Sequence, residues 1–451
     1  MPLLNVLINQ KRTSVIPFLT AVLILSSMFL LTVGGDFVMY CTLETVNKRD
    51  HELSSDYWPT NGWLNATPEE SGMDSTKLQD MLTRIDDANF PFEYIIVIKD
   101  GYIAFQNYFH WLYEPNKKKD VFLATRMLTA ILFGMALDKG LIDNITHPVV
   151  DFFPEYNIAN LTAWKQNITI EHLLTYASGL EWDEITESYG SPDNSYTQMQ
   201  ASDDWAGFIL NRTVLYEPGT HWNYGGGDSH LLSCIFAKET GISLEEFAIE
   251  NLFTPLNITN ITWPQETTGI SNGANGLKMT PHDFAKLGYL ILNNGTWGST
   301  QVVSQDWVHN ATMERISVPE EFWLGYDTQF GYHWYIHNDP SVFFCDRLNG
   351  TRNVFVIPEH NMVVVFSTGL TNGPYIQGEI LYDYILASLE TPTSTTSAHT
   401  TSTTSIPTTT SSTPSTESTI TGGELFIISI IVAVIAVPVI LILLYIRTKG
   451  N

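Results

Sequence analysis

The sequence predicts an α/β domain in which a helical segment interrupts a set of strands. Strand patterns occupy residues 93–109 and return at residues 330–369. Between them, apolar residues recur mostly at helical spacing. A last helical pattern follows the second group of strands. Strands, helices, strands and a helix in one chain, with no internal repeat, indicate one α/β domain with a helical insertion.

The first elements follow directly from their residue patterns. Leu78, Met81, Leu82 and Ile85 recur at helical spacing and predict a helix. The stretch EYIIVIKDGYIAFQNYF then predicts two strands joined by a Lys-Asp-Gly hairpin turn. The sheet therefore begins before the helical insertion.

The insertion opens with the stretch MLTAILFGMALDKG, which is apolar nearly all round and predicts a buried helix ending at its glycine. The stretch TIEHLLTYASGLEW predicts another helix with a glycine stop. Residues 228–258 predict two helices separated at Gly241, and Thr280 is the predicted N-cap of a further helix that closes at an Asn-Gly pair. Strands at residues 330–369 and a helix at residues 378–389 complete the domain.

Two apolar segments lie outside this domain. Residues 15–33 follow Lys11 and Arg12 without a small-residue cleavage site, which favours a signal-anchor, with a cleaved signal peptide as the alternative. Residues 425–446 are long enough to span a bilayer, and the basic residues after them place the C-terminus in the cytoplasm. The sequence therefore predicts a membrane protein of the plasma membrane or secretory pathway, with its main domain extracellular or lumenal.

Composition supports this organisation. The net charge of −26 opposes binding to phosphate backbones and excludes nucleic acid as an expected partner. A Ser/Thr/Pro-rich segment resembles an O-glycosylated, mucin-like stalk. The predicted parts are a signal-anchor or signal peptide (1–35), a juxtamembrane segment (36–65), an ectodomain (66–390), the stalk (391–423), a transmembrane helix (424–446) and a cytoplasmic tail (447–451).

All N-x-S/T sequons fall between the two apolar segments, which predicts a glycosylated ectodomain. They are headed by Asn65, Asn144, Asn160, Asn167, Asn211, Asn257, Asn260, Asn294, Asn310 and Asn349. The three cysteines give no disulfide framework: Cys234 has a core pattern, Cys345 follows a strand pattern, and Cys41 lies beside the first apolar segment.

Four stretches together carry a family resemblance: GLIDNITHPVVDFFPEY, ITIEHLLTYASGLEWDE, YEPGTHWNYGGGDSHLLSCIF and GLKMTPHDFAKLGYLILNNGTW. In this order, over residues 66–390, they resemble the serine β-lactamase-related hydrolases, a group with class C β-lactamases, D-Ala-D-Ala carboxypeptidases and related esterases. The resemblance implies an antiparallel sheet flanked by helices (about 66–115 and 290–390), an all-helical subdomain (about 116–289) and an active site between them.

The family's first motif, Ser-x-x-Lys, supplies an acyl-accepting serine and a lysine that helps to remove its proton. Counted back from the sequence ALDKGLID, the motif falls on residues 123–126, with Leu123 at the serine position and Arg126 at the lysine position. Leucine has no nucleophilic atom, and arginine stays protonated at any relevant pH. This departure removes both groups that begin the reaction.

The other two motifs have also changed. The second motif, Tyr-x-Asn or Tyr-x-Ser, falls on residues 224–226, where Tyr224 remains and Gly226 replaces the third residue. If Arg126 lowered the pKa of the Tyr224 hydroxyl, Tyr224 could act as a general acid or base. The alternative is that Tyr224 only donates a hydrogen bond. The third motif, Lys/His-x-Gly, falls on residues 346–348 or 348–350, and neither begins with a basic residue.

These changes predict a pseudoenzyme that keeps the fold for binding a small acyl or peptide-like ligand or for an interaction role. The alternative is an active amidase or esterase with Thr125 or Tyr224 as its nucleophile, although Thr125 lies two residues past the usual position. Metal-ligand spacing on a helix is not found among the histidines, and adjacent Asp228, Ser229 and His230 face different sides of a helix, so neither a metal, a cofactor nor a local triad is expected. The predicted cleft residues are Thr125, Gly226, Asp346, Asn349 and Gly350.

Overall fold

The computed structural model describes residues 57–109, 115–320, 327–345, 352–369 and 373–389. Within these ranges, no helix is both long enough and apolar enough to cross a membrane. The apolar segments 15–33 and 425–446, the stalk and Cys41 lie outside them. The signal-anchor, the transmembrane helix and the membrane location therefore remain predictions.

Within the described residues, the strands form one eight-stranded sheet and two short two-stranded ladders. Their bounds are β1 Phe92–Lys99, β2 Tyr102–Tyr108, β3 Lys119–Asp120, β4 Lys278–Met279, β5 Thr296–Trp297, β6 Thr300–Gln301, β7 Ile316–Ser317, β8 Gln329–Phe330, β9 Tyr335–Asn338, β10 Ser341–Phe344, β11 Arg352–Ile357 and β12 Met362–Thr368. The large sheet has the order β2-β1-β12-β11-β10-β9-β8-β7 and every pair in it is antiparallel.

The helices fill the middle of the chain and both sides of the sheet. Their bounds are α1 Ser75–Asp87, α2 Thr125–Asp138, α3 Ala163–Gln166, α4 Ile170–Leu174, α5 Ser195–Ala201, α6 Trp205–Leu210, α7 Gly226–Thr240, α8 Leu244–Ala248, α9 Pro281–Leu292, α10 Gln305–Ala311 and α11 Gly373–Glu379. Helix α11 continues as a π-helical segment, Ile380–Ile385, and a 3₁₀ turn, Leu386–Leu389.

The sheet is buried on both faces because successive residues of a strand point to opposite sides. In β1, Ile96 and Ile98 belong to the core shared with α9 and the helical part. Ile95 and Val97 belong to the core shared with α1 and the C-terminal helix. The predicted antiparallel sheet with helices on both faces is confirmed. Helix α9, which spans the predicted boundary near residue 289, packs on β11 and β12.

Most element predictions match the structure. The hairpin turn lies at Asp100 and Gly101, both with positive φ, and Thr280 caps α9 by accepting a hydrogen bond from the Asp283 backbone N–H. One helix is shorter than its pattern: α4 ends at Leu174, because Tyr176 adopts a left-handed backbone with φ 55°. Tyr176 then turns inward, where it is 2% exposed.

Candidate functional site

A cavity of about 690 Å³ opens in front of the N-terminal end of α2. Its walls come from the turn before α2, the loop after α4, helix α5, the segment before α7 and the loop before β4. The lining residues are Asp120, Phe122, Leu123, Glu184, Ile185, Glu187, Ser188, Tyr189, Tyr196, Gln200, Tyr224, Pro264, Asn272, Asn275 and Gly276. Its volume lies within the range typical of small-molecule sites.

Leu123 lies in the wall of this cavity, on a single 3₁₀ turn, Phe122–Ala124, that leads into α2. Only 2% of Leu123 is exposed. Two hydrogen bonds that involve side chains hold the turn: the Phe122 N–H donates to Asp120 Oδ1 (2.7 Å) and the Thr125 hydroxyl donates to the Phe122 carbonyl (2.6 Å). Phe122 itself has φ 48°, a conformation that a bulky residue rarely adopts. The position predicted for the nucleophile is therefore well packed and carries an alkyl group.

Arg126 is buried one turn further along and forms an ion pair with Glu184. Its Nε donates to the Ala274 carbonyl (3.0 Å), and its guanidinium lies 4.4 Å from the centroid of the Tyr224 ring. Burial acts most strongly and lowers the pKa of Arg126, but the Glu184 carboxylate and the neighbouring tyrosines together outweigh it, and the pKa is raised well above its ordinary value. Arg126 is a fixed cation and cannot accept a proton.

Glu184 is the residue at this site that the sequence did not reveal. Its buried carboxylate accepts hydrogen bonds from Trp182 Nε1 (2.7 Å), the Tyr189 hydroxyl (2.5 Å) and the Gly226 backbone N–H (2.7 Å), besides the Arg126 guanidinium. Both oxygens of the Glu184 carboxylate are therefore hydrogen-bonded. The available signal was indirect: a buried arginine requires a buried anion, and the stretch EWDE provides one.

The Arg126–Glu184 pair also explains Gly226. A Cβ built on Gly226 would lie 2.9 Å from Arg126 Nη2, from Glu184 Oε2 and from a ring carbon of Tyr196. The third position of Tyr-x-Asn therefore has no room for a side chain here, because the ion pair fills that space. Leu123, Arg126 and Gly226 form one rearranged interior.

Tyr224, the retained motif residue, is 3% exposed and lines the cavity. Its ring packs edge-on against Tyr176 at 5.5 Å. The Arg126 guanidinium lies over the face of this ring, which is the arrangement of a cation–π contact.

None of the predicted cleft residues that the structure describes lines the cavity. Thr125 and Gly226 are buried and do not line the cavity; the Thr125 hydroxyl donates to Phe122 and accepts from the Leu277 N–H. Asp346, Asn349 and Gly350 lie outside the described residues.

Asp228, Ser229 and His230 do not form a triad, as expected from their spacing. The Asp228 carboxylate accepts from the Ser178 hydroxyl (2.8 Å), and burial raises the pKa of Asp228 to about 8. Ser229 Oγ lies 3.3 Å from the Tyr176 hydroxyl. His230 faces away to a separate group with Cys234 and Glu266, whose donor atoms all lie within 4.8 Å of one another. None of the three lines the cavity.

Comparisons with known proteins agree with this architecture. A family model described as Beta-lactamase matches residues 79–388. A β-lactamase of Escherichia coli is 28% identical over 166 residues, which covers 35% of this chain and 40% of that protein. Monacolin J acid methylbutanoyltransferase of Aspergillus terreus is 27% identical over 157 residues, covering 31% of this chain and 36% of that protein. The chain thus spans about two fifths of the length of these relatives.

Among solved structures, an octameric penicillin-binding protein homologue from Pyrococcus abyssi superposes with a TM-score of 0.56 at 19% identity. The alignment covers 70% of this chain and 78% of that one. At this identity the likeness concerns the fold.

Proposed function

The chain belongs to the Beta-lactamase family, and on that premise we propose that it binds a small ligand in the retained cleft without hydrolysing it. The observation that carries the proposal is Leu123, whose buried alkyl side chain forms the cavity wall beside Tyr224, where an acyl-accepting hydroxyl would have to stand. Acyl transfer needs a nucleophilic atom and a group that takes up its proton. Leu123 has no nucleophilic atom, and Arg126 cannot take up a proton.

The alternative nucleophiles are not equivalent. Thr125 is fully buried and its hydroxyl already makes two hydrogen bonds with the backbone, so a substrate in the cavity does not reach it. Tyr224 does line the cavity. Of these two residues, Tyr224 is therefore the one that an activity test must address.

The charges of the described cavity residues indicate the kind of ligand. Three carboxylates line the cavity, those of Asp120, Glu184 and Glu187, while Lys, Arg and His are missing from the described lining. Glu184 is neutralised by Arg126, which leaves Asp120 and Glu187 to repel an anion. Phe122 and three tyrosines supply aromatic surface. We propose a neutral or amine-bearing acyl or peptide-like ligand rather than a carboxylate.

A covalent probe tests the absence of hydrolysis. The purified chain is expected to remain unlabelled by a fluorophosphonate and by a β-lactam probe, under conditions that label an active β-lactamase completely, because Leu123 occupies the position of the acyl-accepting hydroxyl and Arg126 cannot take up a proton. Mass spectrometry of the intact chain measures the adduct. Stoichiometric labelling that disappears in Tyr224→Phe but persists in Tyr216→Phe, an exposed tyrosine outside this cavity, would show that the cleft is catalytic.

We further propose that the domain is displayed on a membrane as a glycoprotein. Eight of the ten sequon asparagines are exposed, Asn310 is half-buried and Asn349 lies outside the described residues. Glycans at the eight exposed sites would extend into solvent without disturbing the core.

A neighbouring pair of asparagines gives the test. Made in cells with a secretory pathway, the chain is expected to sediment with membranes and to lose mass on treatment with peptide N-glycosidase. Asn65→Gln should remove one glycan, while Asn61→Gln, which is exposed but heads no sequon, should remove none. Gel mobility measures both, and a parent chain whose mobility ignores the glycosidase would refute the glycoprotein.

A further inference from the structure

His230, Cys234 and Glu266 bring three metal-ligating atoms together away from the cleft. His230 and Cys234 lie four residues apart on α7, so their side chains project from the same face, one above the other. Glu266 approaches from the loop before β4. Their donor atoms all lie within 4.8 Å of one another, and all three residues lie in described parts of the chain.

The His230 side chain is fully buried, and in the described part of the chain neither ring nitrogen makes a hydrogen bond. A buried imidazole without a hydrogen bond is costly, because one nitrogen must donate and the other accept in the neutral ring. Trp205 packs edge-on against the ring at 4.9 Å and fixes its position. Nε2 points at Glu266 Oε2 from 3.8 Å, too far for a hydrogen bond. This distance leaves room for a bridging atom.

The Glu266 carboxylate is oriented toward this space. The Thr268 hydroxyl donates to its other oxygen, Oε1 (2.7 Å), and the Glu266 N–H donates to the Ile270 carbonyl (2.9 Å). An outer hydrogen bond of this kind is what positions ligating carboxylates in metal sites. The Glu266 side chain is 6% exposed, while the residues on either side of it in the chain are exposed, so the group lies just beneath the surface.

We propose that His230, Cys234 and Glu266 bind a divalent transition-metal ion, with zinc as the ion that fits the donor set. One thiolate, one imidazole and one carboxylate are the ligand types zinc takes, and three protein ligands leave a position for water. Bond lengths of about 2.0–2.1 Å place neighbouring nitrogen and oxygen ligands roughly 3.3 Å apart in a tetrahedral site. The Nε2–Oε2 separation therefore closes by roughly half an ångström on binding.

Cobalt replaces zinc as a spectroscopic probe. The purified full chain, stripped of metal with a chelator, is expected to bind one Co²⁺ with a thiolate-to-cobalt charge-transfer band, and Zn²⁺ should displace it. Cys234→Ser should abolish the band. Glu266→Gln, a change at the solvent side of the group, should weaken Zn²⁺ binding by about tenfold or more, and Thr268→Val by about tenfold through the lost outer hydrogen bond.

Two other cysteines provide controls. Cys345→Ser alters a second buried cysteine, and Cys41→Ser alters the cysteine outside the described residues. Both variants should keep the band. A parent chain that shows no thiolate band with Co²⁺, or a folded Glu266→Gln chain that binds Zn²⁺ as tightly as the parent, would overturn the proposal and leave His230 and Glu266 as a buried ion pair. Circular dichroism establishes that each variant is folded.

Discussion

Replacing Arg126 by methionine is expected to lower the free energy of unfolding by about 3–5 kcal/mol, because it leaves the Glu184 carboxylate buried without its cation. Both side chains of the pair are essentially inaccessible to solvent. Three donors would remain on Glu184, namely Trp182, Tyr189 and the Gly226 N–H, and they cannot replace a full positive charge. Urea unfolding of the purified chain measures the change as a lower midpoint at similar slope.

Arg315 offers a matched control for this change. It also stacks on a tyrosine, 4.8 Å from the centroid of Tyr332, and also faces a glutamate, Glu171, at 3.9 Å. Its side chain is 26% exposed and that of Glu171 34%, so solvent screens the pair, and Arg315→Met should cost about 1 kcal/mol or less. Equal losses in the two variants would contradict a buried, structural ion pair at Arg126.

A second substitution separates charge from packing. The double variant Arg126→Met with Glu184→Gln removes the negative charge of the Glu184 carboxylate. The glutamine amide keeps nearly the shape of that carboxylate. The double variant should therefore recover part of the stability lost in Arg126→Met, with an interaction energy of about 0.5–3 kcal/mol. Where Arg126→Met fails to fold, Arg126→Lys serves instead. It keeps a charge but loses the bond from Nε to Ala274 and the planar contact with Tyr224.

The fold was predictable where local chemistry decides it. The Lys-Asp-Gly turn needs positive φ at two residues and has it, and helix α2 is apolar nearly all round and buried on nearly every side. The cap at Thr280 depends on a contact three residues away. The early end of α4 was not predictable, because Tyr176 turns away from the helix to pack at 5.5 Å from Tyr224, a residue 48 positions later in the chain.

The candidate site was predictable only at the motif positions. Leu123, Arg126 and Tyr224 followed from the family resemblance, and Leu123 and Tyr224 do line the cavity. Glu184 could not be predicted in this way, because nothing near Arg126 in the sequence indicates which of the many acidic residues pairs with it. The group of His230, Cys234 and Glu266 was missed for a similar reason: two donors share a helix face as His-x-x-x-Cys, and the third arrives from a distant loop.

The residues at the motif positions depend on one another through the Arg126–Glu184 pair. This dependence limits what can be gained by rebuilding the Ser-x-x-Lys motif alone. Changing Leu123 to serine and Arg126 to lysine would return two motif residues. Lysine has no planar group to meet Glu184 and Tyr224 together, and its ammonium would stay paired with the Glu184 carboxylate. A lysine held charged by such a partner is a poor base. We therefore expect this double variant to gain no hydrolase activity over the parent chain while Glu184 and Gly226 are unchanged.

Gly226→Ala is expected to destabilise the chain by about 1–3 kcal/mol, the usual range for overpacking a filled interior. The new methyl group would stand 2.9 Å from Arg126 Nη2, Glu184 Oε2 and the Tyr196 ring, and the first two are held by their mutual ion pair. The Gly226 backbone N–H is also bound to Glu184, so the glycine cannot move away without losing a hydrogen bond. Urea unfolding measures the loss.

Gly225→Ala is the neighbouring control. A Cβ there would meet its nearest atoms at 3.5–3.7 Å, which is ordinary contact. Gly225 is the N-cap of α7, where alanine is slightly worse than glycine, while alanine also restricts the unfolded chain, so the net change should be under about 1 kcal/mol. If both alanines are tolerated equally, the ion pair does not fill the space at Gly226. If only Gly226→Ala is costly, a side chain fits at this motif position only after the Arg126–Glu184 pair and the Tyr196 ring have made room for it, so these three residues and Gly226 have to change together.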